Sequence, residues 1–200
     1  MRKSDPHGLF PDRSESILLI LDMISDFAFE GGVKAARAAL PVARRIARLR
    51  ARAKTARIPV VYANDALGRW RSDFPALVRH CERPASRGAD VVQALPPAAD
   101  DYCVLKPKHS AFFATPLETL LQYLGVKRLI LTGVSSHQCV LFTANDAYVR
   151  DLELVIPRDC IAARTPQDTR LALRYFESVL SADTRPSTAL RLPAKRRRGR

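Results

Sequence analysis

Apolar residues in this chain fall in short continuous runs rather than in alternation. Ile17-Leu18-Leu19-Ile20-Leu21 is unbroken and stops at Asp22. A strand without alternation has both faces covered, as in a parallel sheet between two helix layers. Similar short runs predict strands over 58–63, 102–105, 128–132 and 153–156, and a shorter one over 178–182. Helical spacing predicts helices over 33–55, 72–81, 116–124, 138–150 and 165–175. In the first of these, Val42, Ile46, Leu49 and Ala53 form an apolar stripe. Arg44, Arg45, Arg48 and Arg52 lie toward the other face, and Pro41 predicts a turn or kink. Residues 82–100, with Pro84, Pro96 and Pro97, read as loop.

Strand and helix alternate throughout, which predicts an α/β fold. It is a three-layer α/β/α sandwich with a mostly parallel central sheet of about six strands, Rossmann-like in layout. No internal repeat or second domain is visible. Residues 1–14 are polar with two prolines and read as a flexible arm. The folded domain is expected over 15–185, and 186–200 is expected to be a basic, disordered tail.

A length of 200 residues suits one domain, and 47% apolar content can bury a core. No apolar run reaches the roughly 18–20 residues that span a bilayer. Arg2 and Lys3 are separated from the first apolar run by polar residues, and no small-residue cleavage site follows, so no signal peptide is read. Cys81, Cys103, Cys139 and Cys160 form no CxxC pair and no zinc spacing. They read as free thiols in a reducing compartment, which places the protein in the cytoplasm.

The formal charge is +13, and much of it is local. Residues 195–200 carry five positive charges, and a second group lies between Arg44 and Arg57. Such runs can neutralise phosphates, but no aromatics interleave them. A solvated helix face and a solubilising tail account for them, so nucleic acid would be reached only through the tail.

Ligands of open α/β sheets bind beyond the carboxyl ends of the strands. There the sequence places Asp22, then Asn64 and Asp65, then Lys106, then Gly133 followed by Cys139, then Asp159. A protonated lysine beside a cysteine favours the thiolate, as does the first turn of a helix. An acid can accept the thiol proton and relay it to a leaving amine. Each residue also has a plainer account: Asp22 as a loop cap, Lys106 as a surface lysine, Cys139 as a small buried apolar residue. Only their meeting at one rim would join them.

Three motifs sharpen this. Leu18-Leu19-Ile20-Leu21-Asp22-Met23 with Ser25-Asp26-Phe27 resembles the opening strand of isochorismatase-like hydrolases. Leu105-Lys106-Pro107, then Ser110-Ala111-Phe112 and Thr115-Pro116-Leu117, resembles that family's lysine motif. Gly133-Val134-Ser135-Ser136-His137-Gln138-Cys139-Val140, then Thr143-Ala144 and Asp146-Ala147, resembles its nucleophile motif. Asp159 with Ala162 matches a later signature. The resemblance spans about residues 16 to 182 and implies a catalytic triad of Asp22, Lys106 and Cys139. It also implies a cis peptide between Val134 and Ser135, with the N–H groups of Ser135 and Cys139 forming an oxyanion hole. A homodimer or larger homo-oligomer is implied as well.

Departures from the family pattern narrow the expected chemistry. The nucleophile position is cysteine, which favours the amidase branch over vinyl ether cleavage. The segment Asn64-Asp65-Ala66-Leu67-Gly68-Arg69-Trp70 carries no histidine, and one carboxylate is a poor transition-metal site. No metal and no cofactor are expected. Phe27, Asn64, Asp65, Trp70 and Phe112 are the candidates to line a small-molecule pocket, with Phe113 nearby. His109 and His137 lie close to the motifs and receive no role as a base.

The leading expectation is a cysteine hydrolase of small amide, ureido or carbamoyl compounds working through a thioester. One alternative is a non-catalytic or regulatory protein on the same scaffold, with its basic tail contacting nucleic acid or an acidic partner. Another is a redox thiol protein using Cys139 and a resolving cysteine.

Overall fold

The computed structural model describes residues 13–68 and 73–192. Strand β1 (Ser16–Leu21) lies at the centre of the sheet. After it come α1 (Gly32–Thr55), β2 (Val60–Asp65), α2 (Phe74–Cys81), α3 (Ala89–Ala94) and β3 (Tyr102–Lys106). The second half holds α4 (Leu117–Leu124), β4 (Arg128–Val134), α5 (Leu141–Tyr148), β5 (Glu153–Val155), β6 (Ile161–Ala162) and α6 (Pro166–Ser178). The strand order is β3-β2-β1-β4-β5, every pairing is parallel, and β6 adds to the end of β4.

The unbroken apolar run of β1 serves two cores at once. Leu18 and Ile20 face a core closed by α1, α2 and α3, whereas Ile17, Leu19 and Leu21 face one closed by α4, α5 and α6. All five are fully buried, each contributing roughly 2 kcal/mol of apolar transfer free energy before entropic costs. From β1 the chain winds outward to β2 and β3, then returns to the other side of β1 with β4. This reversal opens a crevice between the carboxyl ends of β1 and β4.

Several elements differ from the sequence expectation. The sixth strand is Ile161–Ala162, not 178–182. Helix α6 continues to Ser178, and the segment beyond it makes a single bridge, Asp183 to Val155. Leu180 and Ala182 are apolar because they are buried, not because they join a strand. Residues 82–100 contain α3, whose six residues are too few to show helical periodicity. Pro41 sits inside a continuous α1. It lies on the exposed face, where water can serve the carbonyl that proline leaves without a donor. The helix expected over 138–150 begins as a π-helical turn, Ser136–Val140, before α5.

The start of the expected tail is also packed. Asp159 accepts hydrogen bonds from the Ser187 N–H at 2.6 Å and hydroxyl at 2.7 Å. Arg52 donates to the carbonyls of Ser187 and Leu190, both at 2.6 Å. Leu190 is buried against the α1 core. Asp159 therefore straps the chain end. The basic residues 195–200 and most of the 1–14 arm lie outside the described residues. Among the described residues no helix is long and apolar enough to cross a membrane.

Candidate active site

Asp22 follows the last residue of β1 in a left-handed conformation, with φ 51°. Aspartate tolerates this region better than most side chains. Its backbone N–H still bonds the Ala63 carbonyl at 3.0 Å, so the turn is made only after pairing with β2 ends. The carboxylate reaches across that strand: Oδ1 accepts the Asp65 N–H at 2.8 Å. Oδ2 is buried, and among the described residues no hydrogen bond reaches it. Lys106 Nζ lies 2.9 Å from Oδ2 as an ion pair.

Lys106 closes β3 and points inward, its side chain only 1% exposed. Buried lysines need partners for their three N–H groups. Here these are Asp22, the Lys108 carbonyl at 3.1 Å and Cys139 Sγ at 3.6 Å. Burial opposes the charge of this ammonium. The Asp22 carboxylate, followed by the Cys139 sulfur, outweighs burial and holds the lysine above its ordinary value. Lys106 is therefore a resident cation rather than a proton donor.

Cys139 lies in the π-helical turn that follows β4. The Val134–Ser135 peptide is cis, and the Ser135 carbonyl accepts from the N–H groups of Gln138 at 3.0 Å and Val140 at 3.2 Å. Gly133, just before, has φ 112°. A Cβ there would lie 2.1 Å from the Leu21 carbonyl oxygen, so only glycine lets β4 close against β1 at this level. The nucleophile turn thus leaves the sheet beside Asp22, at the mouth of the crevice.

Burial pushes the Cys139 thiol up to about 12, and the Asp22 charge adds to this against the opposing pull of Lys106. Lys106 pulls toward the thiolate, as expected, but against larger opposing effects. Desolvation and a carboxylate outweigh one ammonium, so the resting sulfur is protonated.

The remaining motif residues fasten the lysine-bearing loop to the nucleophile-bearing helix. The Thr143 hydroxyl accepts the Ala111 N–H at 3.0 Å, and the Ser110 hydroxyl donates to Asp146. Arg150 pairs with Asp146 at 3.2 Å and with Glu118 at 3.0 Å, and covers the Phe112 ring at 4.7 Å.

The pocket candidates divide. Phe27 is 2% exposed and Phe112 6% exposed, and both pack in the core. Asn64 is buried, and its Nδ2 donates to the Ile24 carbonyl at 2.9 Å, tying down the loop after β1. Asp65 is partly exposed and accepts the Leu67 N–H at 2.6 Å. Trp70 lies outside the described residues. His137 Nδ1 is 3.1 Å from the Ser135 hydroxyl. His109, given no role by the sequence, has Nδ1 3.7 Å from Cys139 Sγ. Its position three residues after Lys106 was the available signal. Among the described residues no group of three or more His, Cys, Asp or Glu is arranged to hold a metal. The four cysteines are free, and Cys81 and Cys160 are buried with thiols pushed up to about 12, chiefly by burial.

Fold and site together define a class: an α/β enzyme with a cysteine, an acid and a lysine gathered where its parallel sheet reverses direction. Residues 16–184 match the isochorismatase domain. The chain belongs to the isochorismatase-like hydrolase family. It is 39% identical to the uncharacterised isochorismatase family protein YaaI of Bacillus subtilis, covering 86% of this chain and 93% of that one. It is 29% identical to the ureidoacrylate amidohydrolase RutB of Methylorubrum extorquens, covering 86% and 80%. The crystal structure of N-carbamoylsarcosine amidase from Thermoplasma acidophilum superposes with a TM-score of 0.65 at 26% identity, covering 88% and 99%.

Proposed function

We propose that this protein hydrolyses a C–N bond of a small amide, ureido or carbamoyl compound through a thioester on Cys139. The observation that carries the reading is Lys106 Nζ, buried, 2.9 Å from Asp22 and 3.6 Å from Cys139 Sγ. As Sγ attacks the carbonyl carbon, its proton passes to the Asp22 carboxylate. Lys106, a cation 3.6 Å from Sγ, steadies the thiolate as it forms. The N–H groups of Ser135 and Cys139 hold the developing oxyanion. Asp22 then gives its proton to the departing ammonia or amine, and water resolves the thioester. The names of RutB and of the carbamoylsarcosine amidase both describe cleavage of this bond type, which supports the reading.

A panel of small amides, ureides and carbamoyl compounds, assayed for ammonia release, tests it. At least one should be turned over, with an acyl adduct on Cys139 after acid quench. Turnover confined to a vinyl ether, with every amide inert, would contradict it.

The same reading places the enzyme in the cytoplasm as a homodimer or larger homo-oligomer. Its four free thiols suit a reducing compartment. Leu171 and Tyr175 of α6, Val179 just after it, and Phe142 and Tyr148 of α5 leave exposed apolar surface suited to a second copy.

A further inference from the structure

The sulfur of Cys139 has a buried neighbour and an exposed one. Lys106 Nζ, paired with Asp22, lies 3.6 Å from Sγ and is buried. His109 Nδ1 stands 3.7 Å from Sγ, and His109 is solvent-exposed. Its ring lies against Phe142 of α5, with centroids 5.3 Å apart. The loop carrying it is pinned next door by the Ser110 and Ala111 hydrogen bonds to α5. The imidazole is thus a fixed group on the route from solvent to the nucleophile.

Once Cys139 is acylated, the thioester fills the space above the sulfur. A hydrolytic water must arrive from the exposed side. The Asp22 side chain is only 14% exposed, whereas His109 is open to solvent. The departing sulfur then needs its proton back. Lys106 is held too firmly protonated to supply it readily, and a thiol pushed up to about 12 makes a poor unprotonated leaving group.

We propose that His109 is the general base of deacylation, a fourth catalytic residue on the solvent side of the sulfur; this rests on Cys139 being the acylated nucleophile. His109 Nδ1 takes a proton from water as the water oxygen bonds the thioester carbon. The tetrahedral intermediate collapses, the C–S bond breaks with its electron pair on Sγ, and the proton moves from Nδ1 to Sγ. The products are the carboxylic acid, the Cys139 thiol and neutral imidazole. Asp22 serves the first half-reaction and His109 the second.

p-Nitrophenyl acetate separates the halves. Its first p-nitrophenolate reports acylation, and loss of the acetyl adduct, followed by intact-mass spectrometry, reports deacylation. In H109N and H109Q, acylation should stay at the parent rate while deacylation slows about 10²-fold, so that acetyl-enzyme accumulates. Deacylation at the parent rate in both variants would overturn the proposal. So would equal slowing of both steps, which marks a structural role. C139A is the control for the underlying reading: if acetylation persists without Cys139, that reading fails together with the proposal. A Cys139-dependent adduct lost at the parent rate from the His109 variants removes the proposal alone.

Discussion

A sulfur that keeps its proton until about pH 12 is a poor nucleophile at rest. At the scale of the residue, then, the reactive state has to be made by proton transfer to Asp22 during attack. This predicts a distinctive alkylation profile. Modification of Cys139 by iodoacetamide, followed on its peptide by mass spectrometry, should be slow at pH 7 and rise roughly tenfold per pH unit through pH 10. K106M removes the charge that favours the thiolate and should move the curve to still higher pH. A fast plateau at neutral pH would instead indicate a resting thiolate–ammonium pair. K106M also removes the cation paired with the largely buried Asp22 carboxylate, which should cost about 3 kcal/mol in urea unfolding. The three residues were legible as types at strand ends. The thiol's protonation state was not, because it depends on burial and on the contest between Asp22 and Lys106.

At the scale of elements, the site depends on how β4 ends. Gly133 is pressed against the Leu21 carbonyl and holds a positive φ, so G133A should cost about 2 kcal/mol or more in urea unfolding. It should also lower activity beyond the stability loss, because the turn carrying Cys139 starts there. Unchanged stability would contradict a close approach of β4 to β1 at Gly133. The apolar runs made the main strands legible, and the stripe Val42, Ile46, Leu49 and Ala53 is buried. Short pieces were not legible. Helix α3 and strand β6 are too brief to carry a period, and their formation depends on tertiary partners. The clamp between Ser110-Ala111 and Thr143–Asp146 was visible only as two motifs, because nothing in a sequence shows that they touch.

For the whole molecule, part of the basic charge on α1 has structural partners among the described residues. Arg50 and Lys54 pair with Asp101 at 3.2 and 2.6 Å, and Arg52 straps the C-terminal segment. Arg44, Arg45 and Arg48 are exposed on α1. The exposed apolar residues of α5 and α6 should bring copies together. Light scattering should give a dimer or larger mass, and Tyr175→Asp with Leu171→Asp should shift it toward monomer; a monomeric parent would refute this. The central claim is that Cys139 forms the bond to substrate. It is tested most directly by ammonia release from C139A on whichever amide or ureide the parent turns over. The account predicts at least about a 10³-fold loss with the thermal midpoint preserved. Release at the parent's rate would contradict it.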